Sequence, residues 1–294
     1  MSYSVIDGKF LQQVEMLQML VKNNVAGLFG GTHKSKNYGS SCEFTDYRDY
    51  VPGDDITKID WNVYARTESL YQKLYLDERQ MHTKIYIDAS RSMNFGSGEK
   101  AQQAIKLAAM LAYLSIAEMD KVSIYVIKDK QVHHVVRGIV GKSAYMNAIG
   151  ALNDIEFDGD TYISDAMIPV RVGYGDGMSV IISDFLTDND YEGAIDHLVD
   201  RRRDVLCIQV LSREEINPQI RGKVLLFDSE SSDRMYRKNV TRDIARAYKE
   251  ALQYTKDKIK KVCASRGASY IDVTADDDIG EILFSRLVGM EVLK

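Results

Sequence analysis

The chain has 294 residues, 45% of them apolar and 28% charged, with a formal net charge of −5. That composition is ordinary for a soluble globular protein, and the length suits one large α/β domain or a domain with an appended module. The acidic balance excludes a global field for nucleic acid, and three widely spaced cysteines, Cys42, Cys207 and Cys263, exclude a disulfide framework or a zinc site and fit a reducing cytosol.

The amino terminus has no basic-then-apolar leader, and the longest near-apolar run, Leu107 to Ala117, is shorter than the roughly 20 residues a bilayer span needs. A cytoplasmic location is expected. Phe10, Leu11, Val14, Leu17, Leu20 and Val21 form a helical stripe. The polar, glycine-rich stretch Gly27 to Ser41 reads as a loop. From Phe44 to Leu76 aromatic and charged residues are dense, with one turn at Pro52-Gly53. Asp54, Asp55 and Asp60 belong to a short helical start after that turn, because acidic residues favour a first helical turn. Arg48 and Arg66 are placed to pair with these carboxylates, and Trp61, the only tryptophan, is expected to be buried.

After Thr83 strands and helices alternate. Strands are predicted at Lys84 to Asp88, Val122 to Ile127, Met178 to Ser183, Val205 to Leu211, Val224 to Phe227 and Ser269 to Val273, and Val132 to Val136 forms a hairpin with the second of them. Helices are predicted at Lys100 to Ala117, Ala144 to Leu152, Ile163 to Val170, Tyr191 to Arg202, Thr241 to Ser265 and from Ile279. Continuous apolar strands separated by helices predict a doubly wound, mostly parallel central sheet flanked by helices. The domain organisation expected is a helix, loop and extension over residues 1–80, packed on the sheet, and an α/β domain over residues 81–294.

Ligands of open parallel sheets bind outside the carboxyl ends of the strands. After the first strand comes Asp88-Ala89-Ser90-Arg91-Ser92, a carboxylate and two hydroxyls at alternate positions. Gly159-Asp160-Thr161 opens a later helix, and Ser183-Asp184 ends a later strand. Asp88, Ser90, Ser92, Thr161 and Asp184 offer oxygen donors only, which select Mg²⁺, Mn²⁺ or Ca²⁺ over zinc. Taken singly, Ser90 and Thr161 also suit helix caps; their claim as ligands rests on the set. An ion held by so few charges keeps open coordination positions that a partner's carboxylate can fill.

D-x-S-x-S after a first strand, G-x-T before a helix and S-D after a later strand resemble the metal-ion-dependent adhesion site of von Willebrand factor A domains. The segment Gly39 to Arg66, with Tyr47-Arg48, Pro52-Gly53-Asp54-Asp55, Ile59-Asp60-Trp61 and Ala65-Arg66, is similar to the signature of the bacterial domain-of-unknown-function family 58, which carries it just upstream of such a domain. The resemblance runs from about Gly27 to the carboxyl terminus. It implies a von Willebrand A-like fold, a Mg²⁺ site at Asp88, Ser90, Ser92, Thr161 and Asp184, and a non-enzymatic binding role. It also implies a protein partner that supplies an acidic residue, a MoxR-type AAA+ ATPase or its client. A monomer is expected, since no exposed heptad stripe stands out.

Hydrolase chemistry of the phosphatase kind, with Asp88 as nucleophile beside Mg²⁺, is the rival. It lacks a second aspartate at Ser90, and no lysine closely follows Asp184 in the sequence. Gly96-Ser97-Gly98-Glu99-Lys100 falls short of a phosphate loop because Glu99 separates the last glycine from the lysine. His133 and His134 are adjacent in a strand, face opposite sides and cannot share a metal. Met16, Met19 and Met110 read as core filler. The basic runs Arg201 to Arg203 and Lys256 to Lys261 read as solvated helix faces rather than a nucleic-acid surface.

Overall fold

A computed structural model describes residues 5–24, 44–75, 80–94, 98–175, 177–219, 222–227 and 235–288. The predicted Gly27 to Ser41 loop, Cys42 and Gly96-Ser97 lie outside the described residues. The chain divides into two compact units, one of Met1–Phe29 with Met81–Lys294 and one of Gly30–Gln80.

Helix α1 (Gly8–Asn24) belongs to the larger unit, and Asp7 accepts the Phe10 N–H at 2.8 Å at its start. Phe10, Val14 and Leu17 are buried, as their spacing predicts. Met16 and Met19 are not core filler: they turn away from that stripe and are 63% and 64% exposed, whereas Met110 is fully buried. Asn153 anchors the segment before α1, accepting the N–H groups of Val5 and Ile6 at 2.9 Å each.

The smaller unit holds β1 (Phe44–Asp49), α2 (Trp61–Thr67) and β2 (Tyr71–Tyr75), with β1 and β2 antiparallel. The Pro52-Gly53 turn closes with Asp54 N–H on the Val51 carbonyl at 2.9 Å. Asp55 caps a 3-10 turn at Ile56–Lys58, and Asp60 caps α2 by accepting the Asn62 and Val63 N–H groups. The other Asp60 oxygen takes Lys73 at 3.0 Å and the Tyr47 hydroxyl at 2.9 Å, and these partners, Lys73 foremost, hold its carboxyl at about 2. Arg48 pairs with Asp54 at 2.6 Å; Arg66 forms no ion pair among the described residues. These acids are therefore structural. Trp61 departs from expectation: α2 buries none of its side chains, and the indole is 60% exposed, edge-on to Tyr64.

The larger unit continues with β3 (His82–Asp88), α3 (Glu99–Ala117), β4 (Lys121–Lys128), β5 (Gln131–Ile139), α4 (Lys142–Ala148), α5 (Ile163–Met167), β6 (Met178–Ser183) and α6 (Glu192–Asp200). It ends with β7 (Asp204–Leu211), α7 (Arg213–Ile216), β8 (Gly222–Phe227), β9 (Met235–Val240), α8 (Arg242–Ser265), β10 (Ser269–Thr274) and α9 (Ile279–Glu281). The central sheet has the order β10-β7-β6-β3-β4-β5, parallel throughout except for β5 at the edge. This is the doubly wound α/β architecture that the strand and helix alternation predicts. One strand is misplaced by sequence reasoning: β8 does not join that sheet but forms a separate antiparallel hairpin with β9. The β9 sequence MYRKNV has too little apolar content to announce a strand.

Both sheet faces are covered. Ile85, Ile87, Ile124, Val180, Ile182, Leu206, Ile208 and Val210 share one core with α1 and the almost entirely buried α3. Tyr86, Tyr125, Ile127, Ile181, Val205 and Cys207 share the other with α5, α6 and α8. No helix among the described residues is long and apolar enough to cross a membrane. At the amino-terminal end of the sheet, His82 is held neutral down to about 4 by burial and by the nearby charges of Lys84, Lys121 and Arg203. The unfolded chain binds this proton at higher pH than the folded one. Stability contributed by neutral His82 is thus complete above about 6.5 and is lost as pH falls towards about 4. Melting curves at pH 7 and pH 4.5 should show a smaller acid-induced drop in His82→Gln than in wild type; equal drops would exclude His82 as a contributor.

Candidate metal centre

Strand β3 has β4 on one side and β6 on the other, so the loops leaving β3 and β6 diverge in opposite directions. A crevice opens at such a switch point, outside the carboxyl ends of the strands. Asp88 closes β3 there, and Ser183-Asp184 closes β6.

The D-x-S-x-S loop leaves β3 with the Ala89 N–H on the Ile127 carbonyl at 2.8 Å. Ser90 then pairs in parallel with Gly159; Gly159 N–H reaches the Ala89 carbonyl at 3.1 Å, and Arg91 N–H reaches the Gly159 carbonyl at 2.8 Å. These backbone bonds draw the Gly159-Asp160-Thr161 loop alongside the Ser90 loop. Thr161 pairs in turn with Asp129, and Asn189 donates its amide to the Thr161 carbonyl at 2.8 Å. A 3-10 turn at Arg91–Asn94 follows and carries Ser92.

All five predicted ligands are buried, with Ser92 the most open at 8% exposure. The Ser90 and Ser92 hydroxyls lie 3.0 Å apart. Asp88 accepts the Ser90 N–H at 3.0 Å on one oxygen and the Ser183 hydroxyl at 2.6 Å on the other. Burial first, and the negative charge of Asp184 second, push the Asp88 carboxyl up to about 7. The Thr161 hydroxyl is buried and has no hydrogen-bond partner among the described residues. An orphaned hydroxyl, a hydroxyl pair and two carboxylates that burden one another form a donor set of hard oxygens, and that set fits a small divalent cation.

Three features of the centre escaped the sequence. Lys100, at the start of α3, is 1% exposed and its ammonium donates to Asp184 at 2.8 Å and to Glu215 at 2.5 Å. Burial disfavours the charge, but Asp184 and Glu215 outweigh it and hold the amine above the usual lysine range. So a lysine does meet the later acidic motif, although none closely follows Asp184 in sequence. Glu215 is itself fixed by a capping box with Ser212 at the start of α7. Phe185, directly after Asp184, has φ +50°, a strained value for an aromatic residue, and its N–H rests on the Ser183 hydroxyl at 3.0 Å. Gln209 in β7 donates to the Asp184 carbonyl at 2.7 Å. Asp188 is exposed and takes no part.

With this geometry in view, the family model described as "Protein of unknown function DUF58" matches residues 46–258, which include all five oxygen donors and Lys100. The chain belongs to the DUF58 family. This DUF58 chain is similar to the uncharacterized proteins Rv1480 of Mycobacterium tuberculosis and Mb1516 of Mycobacterium bovis, each 28% identical over 232 residues, or 76% of this chain and 72% of theirs. Among solved structures, similarity extends to an aerotolerance-related membrane protein from Bacteroides fragilis, at 16% identity and a TM-score of 0.39, over 72% of this chain and 98% of that one. It also extends to the SpRpn10 VWA domain, at 10% identity and a TM-score of 0.39, over 71% and 95% of the two chains.

Proposed function

We propose that this DUF58 protein is a metal-dependent protein-binding module, with Ser90, Ser92, Thr161, Asp88 and Asp184 holding a Mg²⁺ ion, or Mn²⁺ or Ca²⁺ in its place. The ion would supply an electrophilic point at which a partner's Asp or Glu side chain docks. The observation that carries this is the Thr161 hydroxyl, buried without a partner beside the Ser90 loop. Such a group costs about 1–3 kcal/mol unless something satisfies it. Asp88 supports the same conclusion, since a fully buried carboxylate pushed up to about 7 calls for a compensating cation.

The chain's own residues prepare that role. Ser183 and the Ser90 N–H fix the Asp88 carboxylate, while Leu186 N–H and Lys100 occupy the two oxygens of Asp184. Both carboxylates are thus oriented in advance and present charge, while the three hydroxyls supply donors. The family resemblance supplies a candidate partner, a MoxR-type AAA+ ATPase or its client; the chemistry of the site asks only for an acidic side chain.

Hydrolase chemistry is the alternative that Lys100 favours, since a lysine beside the later aspartate is what phosphoryl transfer with Asp88 as nucleophile requires. Against it, Asp88 is fully buried, and the Ser90 N–H and Ser183 hydroxyl that it accepts lower its nucleophilicity.

Thr161→Val tests the proposal, because valine keeps the shape and removes only the orphaned hydroxyl. Without metal the variant should melt at or above the wild-type temperature, and titration calorimetry with Mg²⁺ should show binding weakened by about tenfold or more. A wild-type Mg²⁺ isotherm reproduced in the variant would remove Thr161 from the site. Pull-down of acidic partners should likewise succeed with Mg²⁺ and fail with chelator.

A further inference from the structure

The amino-terminal end of the sheet, remote from the metal centre, gathers cations. Lys84 of β3 is only 7% exposed and makes no hydrogen bond or ion pair among the described residues. Its cross-strand neighbours are Ser123 of β4 and Ser179 of β6. Neither is turned to it: the Ser123 hydroxyl meets His82 Nε2 at 2.9 Å and the Gly138 N–H at 2.9 Å, and the Ser179 hydroxyl accepts Arg203 Nε at 3.1 Å. Arg203, 6% exposed, also donates to the backbone carbonyls of Met178 and His82. Asp120, the acid that precedes β4, is taken up by the Met81 N–H at 2.9 Å.

The backbone makes room for this concentration of charge. A Cβ on Gly177 would come within 2.5 Å of Arg203 Nη1, and one on Gly138 within 2.6 Å of Lys121 Cε, and both glycines have positive φ. Two residues along β3 on the same face as Lys84, Tyr86 is fully buried and its hydroxyl has no hydrogen-bond partner among the described residues. The Tyr86 ring stacks on Tyr125 at 4.9 Å, and Tyr125 lies 4.5 Å from the ring of His134, which is exposed and marks the solvent side.

Burying an ammonium without a counter-charge is costly, and Arg203 and Lys121 add like-charge repulsion. Burial, then these two cations, hold the Lys84 amine down to about 8. A fold that keeps an uncompensated lysine and an unsatisfied tyrosine hydroxyl on one face has donors in place and lacks an acceptor. We propose that this cluster of unpaired donors binds a phosphate-class dianion, with the Lys84 ammonium as its ion-pair partner and the Tyr86 hydroxyl as hydrogen-bond donor. The three cations Lys84, Lys121 and Arg203 suit a double negative charge better than a single carboxylate, and His82, being neutral, accepts no share of it. Lys84 lies four positions, about 13 Å, before Asp88 along β3, and Tyr86 stands between them on the same face, so the metal centre is kept empty in the test.

Melting curves and titration calorimetry on the full chain, in chelator-containing buffer to exclude the metal centre, test the proposal with inorganic phosphate and phenyl phosphate as probes. Inorganic phosphate should raise the wild-type melting temperature saturably. Lys84→Met should melt higher than wild type without phosphate, because the uncompensated charge is gone, and should lose the phosphate response. Tyr86→Phe should keep the fold and bind phosphate about tenfold or more weakly. If phenyl phosphate binds as well as the free ion, the ligand is the terminal phosphate of a larger molecule; if only the free ion binds, the site takes inorganic phosphate. Either supports the site. Wild-type protein unmoved by both probes, or a phosphate response retained in Lys84→Met, would overturn it.

Discussion

Lys100→Met is expected to destabilise the protein by about 3–5 kcal/mol, the cost of stripping one partner from a buried ion pair. Methionine preserves length and apolar bulk, so the loss reports charge rather than packing. Asp184 is fully buried and would keep only the Leu186 N–H on its carboxylate, while Glu215 would keep its capping-box bonds to Ser212. The stranded Asp184 charge would then stand beside the Asp88 carboxyl that it already pushes up. Adding Asp184→Asn to Lys100→Met removes that stranded charge and should recover part of the loss, which a purely steric defect at Lys100 would not allow. Denaturant unfolding of the single and double variants measures both. A single-variant loss below about 1 kcal/mol would mean that water already screens the pair.

Asp88→Asn is expected to abolish divalent-metal binding while leaving the fold intact. The asparagine keeps the side-chain shape and an acceptor for Ser183, but removes one of the two carboxylates whose mutual repulsion favours a cation between them. Wild-type protein should melt higher as Mg²⁺ is added, by about 2.7 kcal/mol of stabilisation at a hundredfold excess over the dissociation constant. The Asn variant should melt at one temperature whatever the Mg²⁺ concentration, and should fail to retain an acidic partner in the presence of the ion. Mg²⁺-dependent melting that survives in Asp88→Asn would show that the ion binds elsewhere. Phosphate-ester hydrolysis by wild type that disappears in Asp88→Asn would instead assign Asp88 the part of a nucleophile.

Much of this molecule is legible along the chain. The apolar runs at β3, β6 and β7 are buried on both faces, so they are continuous in sequence and announce a parallel sheet without reference to any partner strand. Helix α3 is enclosed nearly all round, and its sequence is apolar nearly all round for the same reason. Asp88 closes β3 and Ser183-Asp184 follows β6, so their place at the carboxyl end of the sheet is readable from the strand pattern. Exposure is less legible. Met16 and Met19 are as apolar as their buried neighbours, and Trp61 is exposed because a seven-residue helix with no buried side chain offers it no core. The β9 strand is silent because a two-stranded hairpin outside the main sheet needs no apolar face against the core.

Local pattern carried the strands and helices of the central sheet and their order, because backbone periodicity is a property of neighbouring residues. Only the tertiary structure decided which charges meet. Lys100 reaches Asp184 across 84 positions and Glu215 across 115, and Lys84 is left without a counter-charge while Lys121 of β4 and Arg203, just before β7, are brought beside it. Charge pairing depends on distance in space, and a strand order of β10-β7-β6-β3-β4-β5 places side by side residues that the chain keeps far apart.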